Sequence, residues 1–157
     1  MDILTAEEII EWGIDKEKKR RDFYELASKN SSAPELEALF NKLYALESTH
    51  IKVFETIKEN MERTSESFSN HEELNLYIQN IVYTELHDVL MPERFQRMIK
   101  TPLDALNFAI QCEHDSIQFF SRLLPYVERL NKDIVNQLID EERQHIVYLS
   151  ELREQYT

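Results

Sequence analysis

Apolar residues recur every three or four positions in four separate stretches of the chain, the spacing of one buried face of an α-helix. The clearest stripe reads Leu36, Leu39, Phe40, Leu43, Glu47, His50, Phe54, Ile57, Met61. The last repeats it as Val135, Leu138, Glu142, His145, Leu149, Leu152, and the third runs Leu106, Ile110, Glu113, Ile117, Phe120, Leu124. The first carries Ile10, Ile14, Glu17 and Tyr24, with Arg21 close enough to the stripe that it must turn outward. Start signals agree: Thr5 with Glu8, Ser32 with Glu35 and Ser69 with Glu72 have capping-box spacing, and Pro102 follows Thr101. Helices are therefore expected over 5–29, 33–63 and 102–124, and from 127 or 131 to 155 after Pro125. The stretch 64–101 is too long for an ordinary bundle loop. Its apolar residues, Leu74 to Leu86 among them, predict an extra helix over 72–89 before Pro92. The expected fold is all-α: a single domain over 1–157, a four-helix bundle with one long crossover containing a short helix.

The polar interruptions of these stripes carry the chemistry. Glu47 with His50, and Glu142 with His145, are Glu-x-x-His pairs, and residues three apart share a helix face. Each pair can offer a carboxylate and an imidazole to one ion. Each also follows a lone core-facing glutamate, Glu17 or Glu113, by 30 residues in one half and 29 in the other. With five histidines in 157 residues, a given Glu meets one three places on in only about 3% of cases. Antiparallel helices bring two residues level when both are equidistant from the turn. The Glu17–Glu47 midpoint is residue 32, inside the Asn30–Pro34 turn, and that of Glu113 and Glu142 lies between 127 and 128. The halves also echo each other: Phe23-Tyr24 and Phe119-Phe120 follow their glutamates by six, and both later pairs read Leu-x-x-x-Glu-x-x-His-Ile, as in an internal duplication. Any one of the six could sit at a stripe edge and reach water, but six concordant placements disfavour that. Four buried carboxylates facing one another need neutralisation, which two divalent cations supply.

Composition narrows the function classes. Cys112 is alone, so no disulfide framework or Cys-rich metal module is available. The start of the chain lacks a signal-peptide pattern, and no apolar run approaches a membrane span, so a cytoplasmic, membrane-free protein is expected. Net charge is −12, which repels phosphate backbones and argues against nucleic acid. Lys16, Lys18, Lys19, Arg20 and Arg21 form a local basic cluster, read as a solvated helix face paired with nearby acids. The single glycine suits long helices and hints at a thermophilic source. His71, His87, Asp88 and His114 have no partner at core spacing and are expected at the surface. Tyr24 is a phenol near the site.

The motifs together resemble the ferritin-like di-iron superfamily, and within it the rubrerythrin family, over all four helices. The residues carrying the likeness are Glu17 followed by Phe23-Tyr24-Glu25-Leu26-Ala27, Glu47-x-x-His50, Ala105 to Glu113 leading into Phe119-Phe120, and Glu142-x-x-His145. The resemblance implies that Glu17, Glu47, His50, Glu113, Glu142 and His145 bind two iron ions, with manganese or a mixed pair as variants. It implies a non-haem oxidoreductase reducing hydrogen peroxide, or oxygen more slowly, in oxidative-stress defence. Full-length rubrerythrins carry a Cys-rich rubredoxin-like domain; here an external donor of that kind would supply electrons. Relatives often place a further Glu where Ser116 stands, which brings this centre nearer to the bacterioferritin type, and often a Tyr where Phe120 stands. A homodimer exchanging hairpins is the expected assembly. The alternatives are a ferroxidase feeding an iron store and a non-catalytic metal-stabilised scaffold or sensor.

Overall fold

The computed structural model describes residues 4–31, 33–61 and 97–157. Four long helices account for most of them: α1 (Ala6–Asn30), α2 (Pro34–Asn60), α3 (Pro102–Leu123) and α4 (Lys132–Glu154). Their starts have local causes. At α1 the Thr5 hydroxyl accepts from the Glu8 amide at 3.2 Å while the Glu8 carboxylate accepts from the Thr5 amide at 3.4 Å, the reciprocal box expected from the sequence. The same device opens α3, where Thr101 and Asp104 exchange bonds of 3.1 Å with Pro102 at the first helical position. For α2, Pro34 follows Ala33, which offers no side-chain cap. Ser32, the Ser69–Glu72 pattern and the expected helix over 72–89 fall outside the described residues. α2 ends at Asn60, three residues short of the expectation. Two single-turn 3₁₀ segments, Leu124–Tyr126 and Arg129–Asn131, bridge α3 and α4 around Pro125.

The helices pack as two hairpins, α1 on α2 and α3 on α4, with the hairpins facing each other. Buried apolar residues form two clusters, each drawing on all four helices. One gathers around Phe23, Tyr24, Phe40, Leu43, Leu106 and Leu149, the other around Ile10, Phe54, Phe120, Val135 and Leu138. Burying each such side chain is worth about 1.5–3 kcal/mol, so each cluster anchors one end of the interior. At the second, the sole glycine of the chain lets α1 approach α3: a Cβ on Gly13 would lie 2.9 Å from Phe120 Cζ and 3.3 Å from Phe54 Cε2. That end is tied off by Leu4, whose amide donates to the Tyr126 carbonyl at 2.8 Å and whose carbonyl accepts from Glu128 at 3.1 Å. Among the described residues no helix is long and apolar enough to cross a membrane. Between the two apolar clusters lies a layer of charged side chains.

Candidate metal centre

All six residues singled out by the stripes meet in that layer. Glu17 comes from α1, Glu47 and His50 from α2, Glu113 from α3, and Glu142 and His145 from α4. The four carboxylates are buried, Glu142 completely. The imidazoles are the outermost members, with side chains 10% and 12% exposed. His50 Nδ1 lies 3.6 Å from Glu47, and His145 Nδ1 lies 3.7 Å from Glu113 and 3.9 Å from Glu142. The two rings stack nearly parallel, 5° apart, with centroids separated by 2.9 Å. Three overlapping trios each bring ligand atoms within 4.8 Å of one another: Glu17–Glu47–His50, Glu17–Glu113–Glu142 and His50–Glu113–His145.

The carboxylates sort into two pairs, the pairs that the hairpin midpoints set level. Burial, then the charge of Glu17, pushes Glu47 well above the usual carboxylate range. Burial, then the charge of Glu113, does the same to Glu142. Burial acts on Glu17 and Glu113 too, but is outweighed: Arg20 and the adjacent Glu47 carboxyl hold Glu17 low, and the adjacent Glu142 and His145 side chains together with Arg20 hold Glu113 low. In each pair one carboxylate is held low and its neighbour pushed up, so the two compete to carry negative charge. His50 is lowered to about 4 by burial and by the facing His145, so it is a neutral imidazole at physiological pH.

Sequence reasoning missed the cation at the middle of this layer. Arg20 and Lys16 are not on a solvated face: they are 1% and 3% exposed. Arg20 Nη1 lies 3.6 Å from Glu17, 3.6 Å from Glu113 and 4.0 Å from Glu47, while Nη2 donates to the Cys112 carbonyl at 3.0 Å and to Ser116 Oγ at 2.9 Å. Lys16 is drawn in over the Phe119 ring, 4.3 Å from its centroid. The available signal was helical phase, since Arg20 stands three residues after Glu17 and four before Tyr24. A cluster of five basic residues within six positions hid it. Arg21 does turn outward, to Asp22 at 3.2 Å, and Lys19 pairs with Asp15 at 3.2 Å. Ser116 is the hydroxyl that receives Arg20. Tyr24 is buried beside the centre, its phenol pushed well up by burial, and Phe120 belongs to the apolar cluster. His114 is exposed, as expected; His71, His87 and Asp88 fall outside the described residues.

The donor set fits divalent metal. With every carboxylate ionised, Glu17 Oε2, Glu47 Oε2, Glu113 Oε2, both oxygens of Glu142 and Nδ1 of both histidines are buried without a hydrogen-bond partner. Such orphaned acceptors are costly. Cations bound among carboxylate oxygens and imidazole nitrogens satisfy them, and that mixture suits iron or manganese. Arg20 supplies a single positive charge against four carboxylates, which leaves most of the demand unmet. Comparisons with protein-family models, curated proteins and solved structures return no match.

Proposed function

We propose that this chain is a ferritin-like di-iron protein of rubrerythrin type, an oxidoreductase that reduces hydrogen peroxide, or oxygen more slowly, with electrons from an external rubredoxin-like donor. The observation carrying this reading is the set of buried ligand atoms without hydrogen-bond partners, on six residues from four helices, twice Glu-plus-Glu-x-x-His, aimed at one another. Glu17, Glu47 and His50 would hold one ion, and Glu113, Glu142 and His145 the other. When bound, two iron ions supply the two electrons that turn hydrogen peroxide and two protons into two waters. The chain's own contribution is placement. Arg20 fixes the Glu17 and Glu113 carboxylates from the α1–α3 side, the apolar clusters shield the layer at both ends, and a cavity between α2 and α4 reaches the histidine edges. A homodimer, a single domain per chain and a cytoplasmic setting belong to the same reading.

Stopped-flow mixing of the anaerobically iron-loaded protein with hydrogen peroxide, and separately with oxygen, tests it. Rapid oxidation by peroxide, with slower oxidation by oxygen, is expected; an iron-loaded protein inert to both contradicts the proposal. One observation favours a second reading. Ser116 is held by Arg20 and no carboxylate stands there, which suits a ferroxidase of bacterioferritin type. Native mass separates the two, because an iron store requires a cage.

A further inference from the structure

The cavity at the histidine edge is larger than hydrogen peroxide requires. It measures about 290 Å³, against a liquid volume of roughly 30 Å³ per water, and lies near the roughly 300 Å³ lower end of small-molecule pockets. Its construction is graded. Tyr24, Glu47 and Glu113 form a buried floor together with the edges of His50 and His145. The walls are aliphatic: Leu43 and Leu149, both buried, with Leu46 and Val53 half-buried above them. Thr49, Gln144 and Tyr148 make an exposed rim. Arg20 with Ser116 and the Cys112 carbonyl lies on the α1–α3 side of the layer, and among the described residues the aliphatic passage leads to the donors from the α2–α4 side. A passage lined this way disfavours a strongly hydrated substrate and favours one with an apolar body and a polar end.

Resting on the peroxide reading above, we infer that the α2–α4 cavity takes organic hydroperoxides, with the hydrocarbon group against Leu43, Leu46, Val53 and Leu149 and the O–O group toward His50 and His145. The reaction breaks the O–O bond: ROOH, two protons and two electrons from the external one-electron donor give ROH and water.

The test uses the full chain with cumene hydroperoxide as substrate and cumyl alcohol, its unreactive product, as binding probe. Titration of cumyl alcohol into the metal-free protein, followed by NMR, should show saturable binding with contacts to the Leu46 and Val53 methyls. Leu46→Trp and Val53→Phe, which fill the cavity from its walls, should each weaken that binding about tenfold or more. In the iron-loaded protein both should lower the ratio of kcat/KM for cumene hydroperoxide to that for hydrogen peroxide by a similar factor. Should one variant fail to fold, the other and the methyl contacts of the unmodified protein still decide. Absence of saturable binding, or binding undiminished in a folded variant, overturns the inference even if hydrogen peroxide is consumed. Binding without consumption of either hydroperoxide overturns the peroxide reading and the substrate class with it.

Discussion

The Arg20 guanidinium donates to the Ser116 hydroxyl at 2.9 Å across the α1–α3 interface, from within a ring of glutamates. That bond orients a buried cation whose other amino group faces Glu17, Glu47 and Glu113. Removing one member of a buried charge network leaves the others uncompensated and costs about 3–5 kcal/mol. Arg20→Met should therefore destabilise the metal-free protein by that order in chemical denaturation, and the metal-loaded protein by less. Ser116→Ala, which keeps the charge and loses one charge-assisted bond, should cost about 1.5–3 kcal/mol. Equal losses with and without metal would contradict the role of Arg20 as a stand-in counter-charge.

Stability of the metal-free protein should fall toward both pH extremes. Glu47 and Glu142 have raised folded pKa values, so they bind protons more tightly when folded. Their contribution is complete below the ordinary 4.5 and disappears as pH rises through the raised values. His50 acts in the opposite sense. Between about 4 and 6.5 the unfolded chain binds a proton that the folded chain does not, so stability rises with pH across that window, by about 3 kcal/mol in all. Glu17 and Glu113, with lowered values, add to the acid loss. Bound cations would neutralise the same carboxylates, so metal loading should flatten the alkaline arm. Calorimetric Tm values from pH 5 to 10, with and without chelator, check this; identical alkaline slopes would contradict it.

The four stripes foretold all four described helices, and Thr5–Glu8 and Thr101–Pro102 marked two starts, because periodicity and capping are local properties. The convergence of Glu17, Glu47, His50, Glu113, Glu142 and His145 was legible for the same reason, each interrupting an apolar stripe at core phase. What the sequence concealed was depth. Arg20 and Lys16 are buried by a close helix approach that depends on Gly13 and on the side chains of α3, and no local pattern in α1 reports where α3 will lie. Ser116 was visible as a missing carboxylate, but its partner could be found only once α1 and α3 were placed together. The cavity likewise arises from the spacing of α2 and α4.

Gly13 offers a test of that close approach. Alanine there improves intrinsic helix propensity by about 1 kcal/mol, but its Cβ would lie 2.9 Å from a Phe120 ring wedged beside Phe54 and Phe119. Overpacking of this kind costs about 1–3 kcal/mol. Gly13→Ala should therefore leave the protein no more stable, with a net loss of about 0–2 kcal/mol in urea denaturation. A clear gain would mean that α1 and α3 lie farther apart.

Histidine phase separates binding from bystander roles. His145→Ala removes an imidazole at the centre and should cost one bound ion and the two-electron reaction with peroxide. His114→Ala, one residue from Glu113 yet exposed, should cost neither. Peroxide consumption normalised to bound iron is the readout, and full turnover in His145→Ala would contradict the assignment.

On the proposed reading Glu17, Glu47, His50, Glu113, Glu142 and His145 hold two metal ions. Metal analysis after anaerobic reconstitution with ferrous iron and removal of loosely bound ion counts them. Two irons per chain are predicted, with Glu113→Ala losing one or both. A reproducible value of zero or one in the unmodified protein would contradict the account and leave Arg20 as the counter-charge of a structural polar layer.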